Sequence, residues 1–322
     1  MSKQTTNQVL MIRPVAFTYN KQTAVDNHYQ IEPEKSEKPF IQDNALEEFD
    51  AFVGVLRKNG VSVTVIEDTP SPSTPDSIFP NNWVSFHDNG ETIVYPMFAP
   101  NRREEKRPEI YQELAKSGNL LITNVTDLSS LEEQDIFLEG TGSMILDRDH
   151  DIAYAAISER MHVTALHTFC KKFDYEPYAF NALQTVDGER LPIYHTNVMM
   201  CLGVSFAVVC LDCIDDPKER QGLIDRLEST GKEIVAISEH QVTNFAGNML
   251  ELRNNKGERL LVMSSSAYDT LNDVQKSRLE KHCRLVHSPL PTIEKNGGGS
   301  ARCMMAEVFL PSRADVHASE DQ

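Results

Sequence analysis

Asn296-Gly297-Gly298-Gly299-Ser300-Ala301-Arg302-Cys303-Met304-Met305-Ala306-Glu307-Val308-Phe309 is the stretch on which the reading of this chain turns. Three consecutive glycines can take almost any backbone dihedral and let a ligand come close to the main chain. The apolar run from Cys303 to Leu310 reads as a short strand or the start of a helix. A thiol at the junction of a glycine loop and a regular element stands where nucleophilic cysteines are presented. Cysteine is also a small hydrophobe, so the same pattern describes a flexible loop ahead of a buried structural thiol. The choice depends on whether the chain supplies a base and a group to orient it.

Ten histidines compete to be that base. His87, His150 and His317 lie in charged, turn-like or terminal surroundings and read as surface groups. His195 differs, because His195-Thr196-Asn197 stands at the mouth of an apolar run that continues to Val209. It reads either as a hydrogen-bonded histidine at a strand start or as an acid/base group. Glu139 lies in Leu138-Glu139-Gly140-Thr141-Gly142, between an apolar segment and a further strand. An acid there is costly to bury without a partner, and its alternative is a turn or N-cap carboxylate. Pro75-Asp76-Ser77-Ile78-Phe79-Pro80-Asn81-Asn82-Trp83 adds two adjacent amides in a proline-bounded loop before a strand. Each cluster alone is compatible with turn chemistry. Four polar or glycine loops, each feeding an apolar strand, form a pattern.

In order, Pro-Asp-x-x-Phe-x-x-Asn, Leu-Glu-Gly-x-Gly, Ser-Glu-Arg, His-Thr-Asn and Gly-Gly-Gly-Ser-x-x-Cys resemble the motifs of the guanidine-modifying (pentein) superfamily. The resemblance runs from about Met11 to Leu310 and is nearest to the amidinotransferase-like or citrulline-utilisation hydrolase branch, related to the dimethylarginine dimethylaminohydrolases. It implies an α/β fold, a five-bladed propeller of ββαβ units about a pseudo-five-fold axis. One catalytic domain over residues 9–313 is expected, with flexible tails at 1–8 and 314–322. The resemblance further implies Cys303 as nucleophile, His195 as general acid/base, and Glu139 as the group that orients substrate and imidazole. Arg160, in Ser158-Glu159-Arg160, would hold a substrate carboxylate, and Arg102 or Arg103 would assist. Ser158 reads alternatively as a helix N-cap, and Arg102 and Arg103 as part of a solvated charge run.

The chain departs from the family at instructive places. Deiminases carry carboxylates at the slots of Asn82 and Asn197, and dimethylaminohydrolases carry acids at those of Asn81 and Asn82. Here all three are amides, leaving Glu139 and Asp76 as the acids expected at the site. An amide both donates and accepts, which suits a neutral ureido group. The expected activity is therefore cofactor-independent hydrolysis of a C–N bond in an arginine- or citrulline-like small molecule through a covalent cysteine adduct. An amidinotransferase using the same Cys-His pair, or a propeller that binds without catalysis, are the alternatives.

Composition sets outer limits. A net charge of −17 disfavours nucleic acid and anionic membrane surfaces as partners. No run of eighteen apolar residues occurs, and Met1 to Gln8 is polar, so a cytoplasmic location is expected. The six cysteines read as buried thiols, Cys210-x-x-Cys213 as incidental, and no metal site is expected. The partner implied is a small guanidino or ureido amino acid, and a homo-oligomer is left open.

Overall fold

The computed structural model describes residues 2–314. Its regular structure is built from one motif used five times: two antiparallel strands, a helical crossover, and a third strand parallel to the second. Four of these sheets are contiguous in sequence. They comprise Val84–Phe86, Glu91–Val94 and Asn124–Asp127; Ile145–Asp147, Ile152–Ala156 and Glu176–Phe180; Met200–Leu202, Phe206–Val209 and Glu233–Ala236; and Leu250–Arg253, Arg259–Ser264 and Arg284–Ser288. The remaining sheet takes Ala306–Glu307 from near one end of the chain and lays it antiparallel to Gln8–Arg13, which runs parallel to Ser62–Glu67. A separate hairpin pairs Leu183–Val186 with Glu189–Pro192.

Crossover helices bury their apolar stripes on these sheets. Ile41–Lys58 turns Ile41, Ala45, Phe49, Phe52 and Leu56 inward, three or four residues apart, onto Val9, Met11 and Val63. Phe49 and Phe52 are fully buried, and truncating such a side chain to alanine costs about 3–5 kcal/mol. Val163–Phe173 likewise buries Ala165, Leu166 and Phe169. First strands of successive sheets touch: Ala306–Glu307 meets Val84–Phe86, and Met200–Leu202 meets both Ile145–Asp147 and Leu250–Arg253. The architecture is mixed α/β, as expected.

The crossover at 100–117 holds two helices, Pro100–Arg103 and Pro108–Ser117. Pro108 cannot continue a helix because it lacks an N–H and crowds the preceding turn, so it opens a new one. The crossover at 265–280 likewise holds two, Ser265–Thr270 and Asp273–Glu280, because Asn272 and Gln275 form a reciprocal capping box. The segment expected as a mobile N-terminal tail is packed down. Gln4 donates to Leu146 O at 2.9 Å and accepts from Arg148 N at 2.7 Å, and Thr6 Oγ1 donates to Val308 O at 2.6 Å. The expected tail at 314–322 lies outside the described residues beyond Ala314. His87, read as a surface group, is buried against Phe173 with Ser85 Oγ 2.9 Å from Nε2.

Candidate active site

The loop or short helix ahead of each sheet's first strand carries a site residue. Pro80–Asn82 supplies Asn81 and Asn82; Glu139 stands at the N-cap of Gly140–Ser143; and His195 stands at the N-cap of Thr196–Met199, whose second residue is Asn197. Asn248 precedes Leu250–Arg253, and Cys303 precedes Ala306–Glu307. The helix Pro291–Gly297 ends on Gly298, which adopts φ 61°, a left-handed conformation that strains any side chain. The chain then turns through Ser300–Arg302 to present Cys303.

Cys303 Sγ is buried and faced by two amides, Asn197 Nδ2 at 3.3 Å and Asn248 Nδ2 at 3.2 Å. Charge developing on the sulfur is thus met by two N–H dipoles. His195 is also buried, with Nε2 2.8 Å from Glu139 Oε2. Gly142 backs this arrangement: a β-carbon there would lie 2.3 Å from Asn82 Nδ2 and 2.9 Å from the imidazole. That contact explains the second glycine of Leu-Glu-Gly-x-Gly.

Glu139 is the electrostatic hub. Its Oε1 accepts from Phe98 N at 3.0 Å, and its Oε2 lies 3.6 Å from Arg160 Nη1 and 3.8 Å from Arg102 Nη1. Burial alone would raise its carboxyl, but Arg160, His195 and Arg102 hold it well below the usual carboxylate range. Burial lowers His195 below its ordinary value, against the pull of Glu139. An ionised Glu139 therefore faces an Nε2–H, which leaves the other ring nitrogen of a neutral imidazole as proton acceptor.

Arg102 is buried rather than part of a solvated charge run. Its Nε and Nη2 each donate at 2.9 Å to the Glu105 carboxylate, and its Nη1 donates to Asn82 Oδ1 at 2.8 Å. Burial pushes Glu105 up to about 7, against the opposing effect of Arg102. Asn82 Nδ2 donates in turn to Asn81 Oδ1, and Asn81 Nδ2 donates to Thr141 Oγ1, so Asn81 ties the Asn82 loop to the Glu139 loop. Arg103 stands apart. It is half-buried, donates to the Met97 and Phe98 carbonyls, and borders an outer cavity of about 590 Å³ with Phe137, Gln22 and Val25.

Residues 14–37, between Gln8–Arg13 and the turn at Lys38–Phe40, form a long irregular segment laid across the site. Asn20 Nδ2 and Thr23 Oγ1 donate to Asp76 Oδ2 at 2.7 and 3.0 Å, and burial raises the Asp76 carboxyl. Asn27 and Gln30 donate to the Gly297 carbonyl. Arg160 is buried against the Tyr194 ring and forms a two-point ion pair with Asp26. Ser158 caps no helix; its Oγ donates to Tyr194 O and accepts from Arg160 N. Among the described residues, two buried oxygens at the site lack a hydrogen-bond donor: Asp76 Oδ1 and Asn197 Oδ1. No group of three or more His, Cys, Asp or Glu among the described residues is arranged to hold a metal.

The structure gathers Cys303, His195, Glu139, Asn197, Asn82, Arg102, Arg160 and Asp76, and leaves Arg103 outside. Sequence reading gave Glu105 and Asp26 no role at the site. The signal for Asp26 lay in the length of the segment from Pro14 to Glu37 without apolar periodicity, since long irregular loops in compact domains are commonly functional.

A profile of the family described as N,N dimethylarginine dimethylhydrolase, eukaryotic, matches residues 13–310. AgrE of Nostoc sp. (strain PCC 7120), a bifunctional arginine dihydrolase/ornithine cyclodeaminase, is 25% identical over 279 residues. The match covers 86% of this chain but only 35% of that protein's length. Among solved structures, the N-terminal domain of the cyanobacterial enzyme ArgZ, covalently bound to a reaction intermediate, superposes with a TM-score of 0.68 at 18% identity, covering 94% of this chain and 99% of that one. A dimethylarginine dimethylaminohydrolase adduct with S-methyl-L-thiocitrulline gives 0.62 at 14% identity, covering 95% and 100%. These two likenesses are of fold.

Proposed function

From the premise that this chain belongs to the eukaryotic N,N dimethylarginine dimethylhydrolase family, we propose that it hydrolyses a C–N bond in the guanidino or ureido group of an arginine- or citrulline-like small molecule. The observation that carries this reading is the placement of Cys303 Sγ within 3.3 Å of Asn197 Nδ2, two residues beyond a His195 bonded to Glu139. In the proposed step neutral His195 takes the thiol proton and the sulfur adds to the planar carbon. The bond to the terminal nitrogen then breaks, and His195 returns the proton to the departing amine. Water, deprotonated by the same imidazole, releases the adduct. Every group this sequence needs is a side chain or water, so the reading is cofactor-independent.

Asn197 Oδ1 and Asp76 Oδ1, buried without donors among the described residues, are the acceptors offered to substrate N–H groups. The Asn197 amide suits a neutral ureido NH₂ as well as a guanidinium. Glu139 serves chiefly to orient His195 and hold the two arginines, because its oxygens already face Phe98 N, His195, Arg102 and Arg160. The same reading takes the five like sheets, with touching first strands, as blades of a five-bladed propeller forming one domain over residues 9–313. A cytoplasmic location also belongs to it; among the described residues no helix is long and apolar enough to cross a membrane.

The test is mass-spectrometric turnover of arginine, citrulline, dimethylarginine and agmatine, following ornithine, citrulline and ammonia together. Ornithine and ammonia formed from citrulline support the reading. Consumption that requires an added amine points to a transferase, and absence of turnover on all four overturns the proposal.

A further inference from the structure

Arg160 has no two-point edge left to offer a ligand, because Nη2 is already spent on Asp26 and Thr23 and Nη1 alone makes no hydrogen bond. Its Nε donates to Asp26 Oδ2 at 2.8 Å, and Nη2 donates both to Asp26 Oδ1 and to Thr23 O at 2.9 Å. Nη1 lies 3.6 Å from Glu139 Oε2, and the guanidinium sits 4.8 Å from the centre of the Tyr194 ring. Arg160 is 1% exposed, whereas the Asp26 side chain is 19% exposed, so Asp26 stands between the guanidinium and solvent. The partner is therefore the outer one, and it belongs to the irregular segment 14–37. Its neighbours Val25 and Gln22 border the outer cavity.

We propose that Asp26 is an internal carboxylate that occupies Arg160 until a substrate carboxylate replaces it. This rests on the reading of Arg160 as the substrate's carboxylate anchor. A planar fork that binds one carboxylate at two points binds another in the same way, so the exchange replaces like with like and preserves the charge of the buried cluster. A ligand without a carboxylate gains entry only by leaving Arg160 without its outer partner, and burying a charge unpaired is the costlier state. Because the competitor is tethered, the apparent affinity of every ligand falls by the fraction of molecules in which the fork is free.

The experiment uses the full chain carrying Cys303→Ser, so that ligand is not consumed, and measures calorimetric binding of citrulline and of its decarboxylated counterpart, N-carbamoylputrescine. Asp26→Asn keeps the shape of the side chain and removes its charge. It is expected to tighten citrulline binding by about ten-fold or more and, because every ligand displaces Asp26, to tighten N-carbamoylputrescine by a similar factor. Asp26→Glu, which keeps the charge, is expected to stay near the parent affinities. Citrulline binding that is unchanged or weakened in Asp26→Asn, with its thermal melt intact, overturns the proposal while leaving the hydrolase reading in place. Failure of both ligands to bind either protein overturns the substrate class and this proposal together.

Discussion

Asn248 Nδ2 lies 3.2 Å from Cys303 Sγ while its Oδ1 accepts the backbone N–H of Arg302, the residue just before that cysteine. The same Nδ2 donates to Asn197 O at 3.0 Å. One amide therefore positions the sulfur, the backbone that carries it and the loop that follows His195. Asn248→Ala is expected to slow turnover by about 10²-fold, the loss seen when one preorganised donor to a developing charge is removed. The rate of Cys303 alkylation should fall in parallel. An alkylation rate equal to that of wild type would show that Asn248 is only a loop brace.

Cys303→Ser is expected to abolish turnover with the fold intact, because a hydroxyl is far less ionised than a thiol at neutral pH. Cys213→Ser and Cys283→Ser alter buried thiols in a different apolar cluster from that of Cys303 and should stay active. Steady-state rates on one substrate decide it, and a fully active Cys303 variant would remove the nucleophile from the scheme.

For His195→Ala a loss of about 10²–10⁴-fold in rate is expected, the span of a positioned proton-transfer group. Glu139→Gln should damage stability as well as rate. It leaves Arg102 and Arg160 facing a neutral amide, and removing one partner from a buried ion pair costs about 3–5 kcal/mol. Urea denaturation beside initial rates separates the two effects; an unchanged midpoint would contradict the hub role.

Asn82→Asp is expected to raise kcat/KM for arginine relative to citrulline. The new carboxylate would share Arg102 Nη1, now 2.8 Å from Asn82 Oδ1, and add negative charge beside the His195 loop. Both substrates must be compared at one pH. A ratio that moves toward citrulline would mean that Arg102 absorbs the added charge completely.

His87 offers a pH test away from the candidate site. Burial, reinforced by Arg148, holds its pKa well below the ordinary value. As pH falls below about 6.5, the unfolded chain binds a proton that the folded state refuses. Its contribution is therefore present above that pH and is lost progressively as pH falls toward the folded value. His87→Gln should flatten the stability–pH curve below about 6.5, whatever it does to stability at pH 7. Urea midpoints across a pH series would expose two parallel curves if His87 contributes nothing.

The motifs around Cys303 and His195 were legible because each needs a particular backbone: a left-handed glycine before Cys303 and a close-packed glycine behind His195. The central strands were equally readable, since Ile152–Ala156 and Phe206–Val209 are buried throughout. Third strands such as Asn124–Asp127 and Glu176–Phe180 escaped notice because most of their side chains are exposed or half-buried. Arg102 was ambiguous for a related reason. Glu105 looks like one more surface charge in Arg102-Arg103-Glu104-Glu105, and only the turn after Pro100–Arg103 folds it inward against the guanidinium. Asp26 carries no motif at all, and its meaning depends wholly on the distant Arg160.

The pairing of Ala306–Glu307 with Val9–Leu10 has a consequence for biosynthesis. A chain emerging from the ribosome completes four of its sheets from neighbouring segments, in the order in which they are made. The sheet that receives Ala306–Glu307 must wait with one place vacant until those distant residues have been made. Cys303 arrives with that last strand and meets Asn197 and Asn248 only once it docks. The candidate nucleophile thus reaches its two amides only through the pairing that completes this sheet.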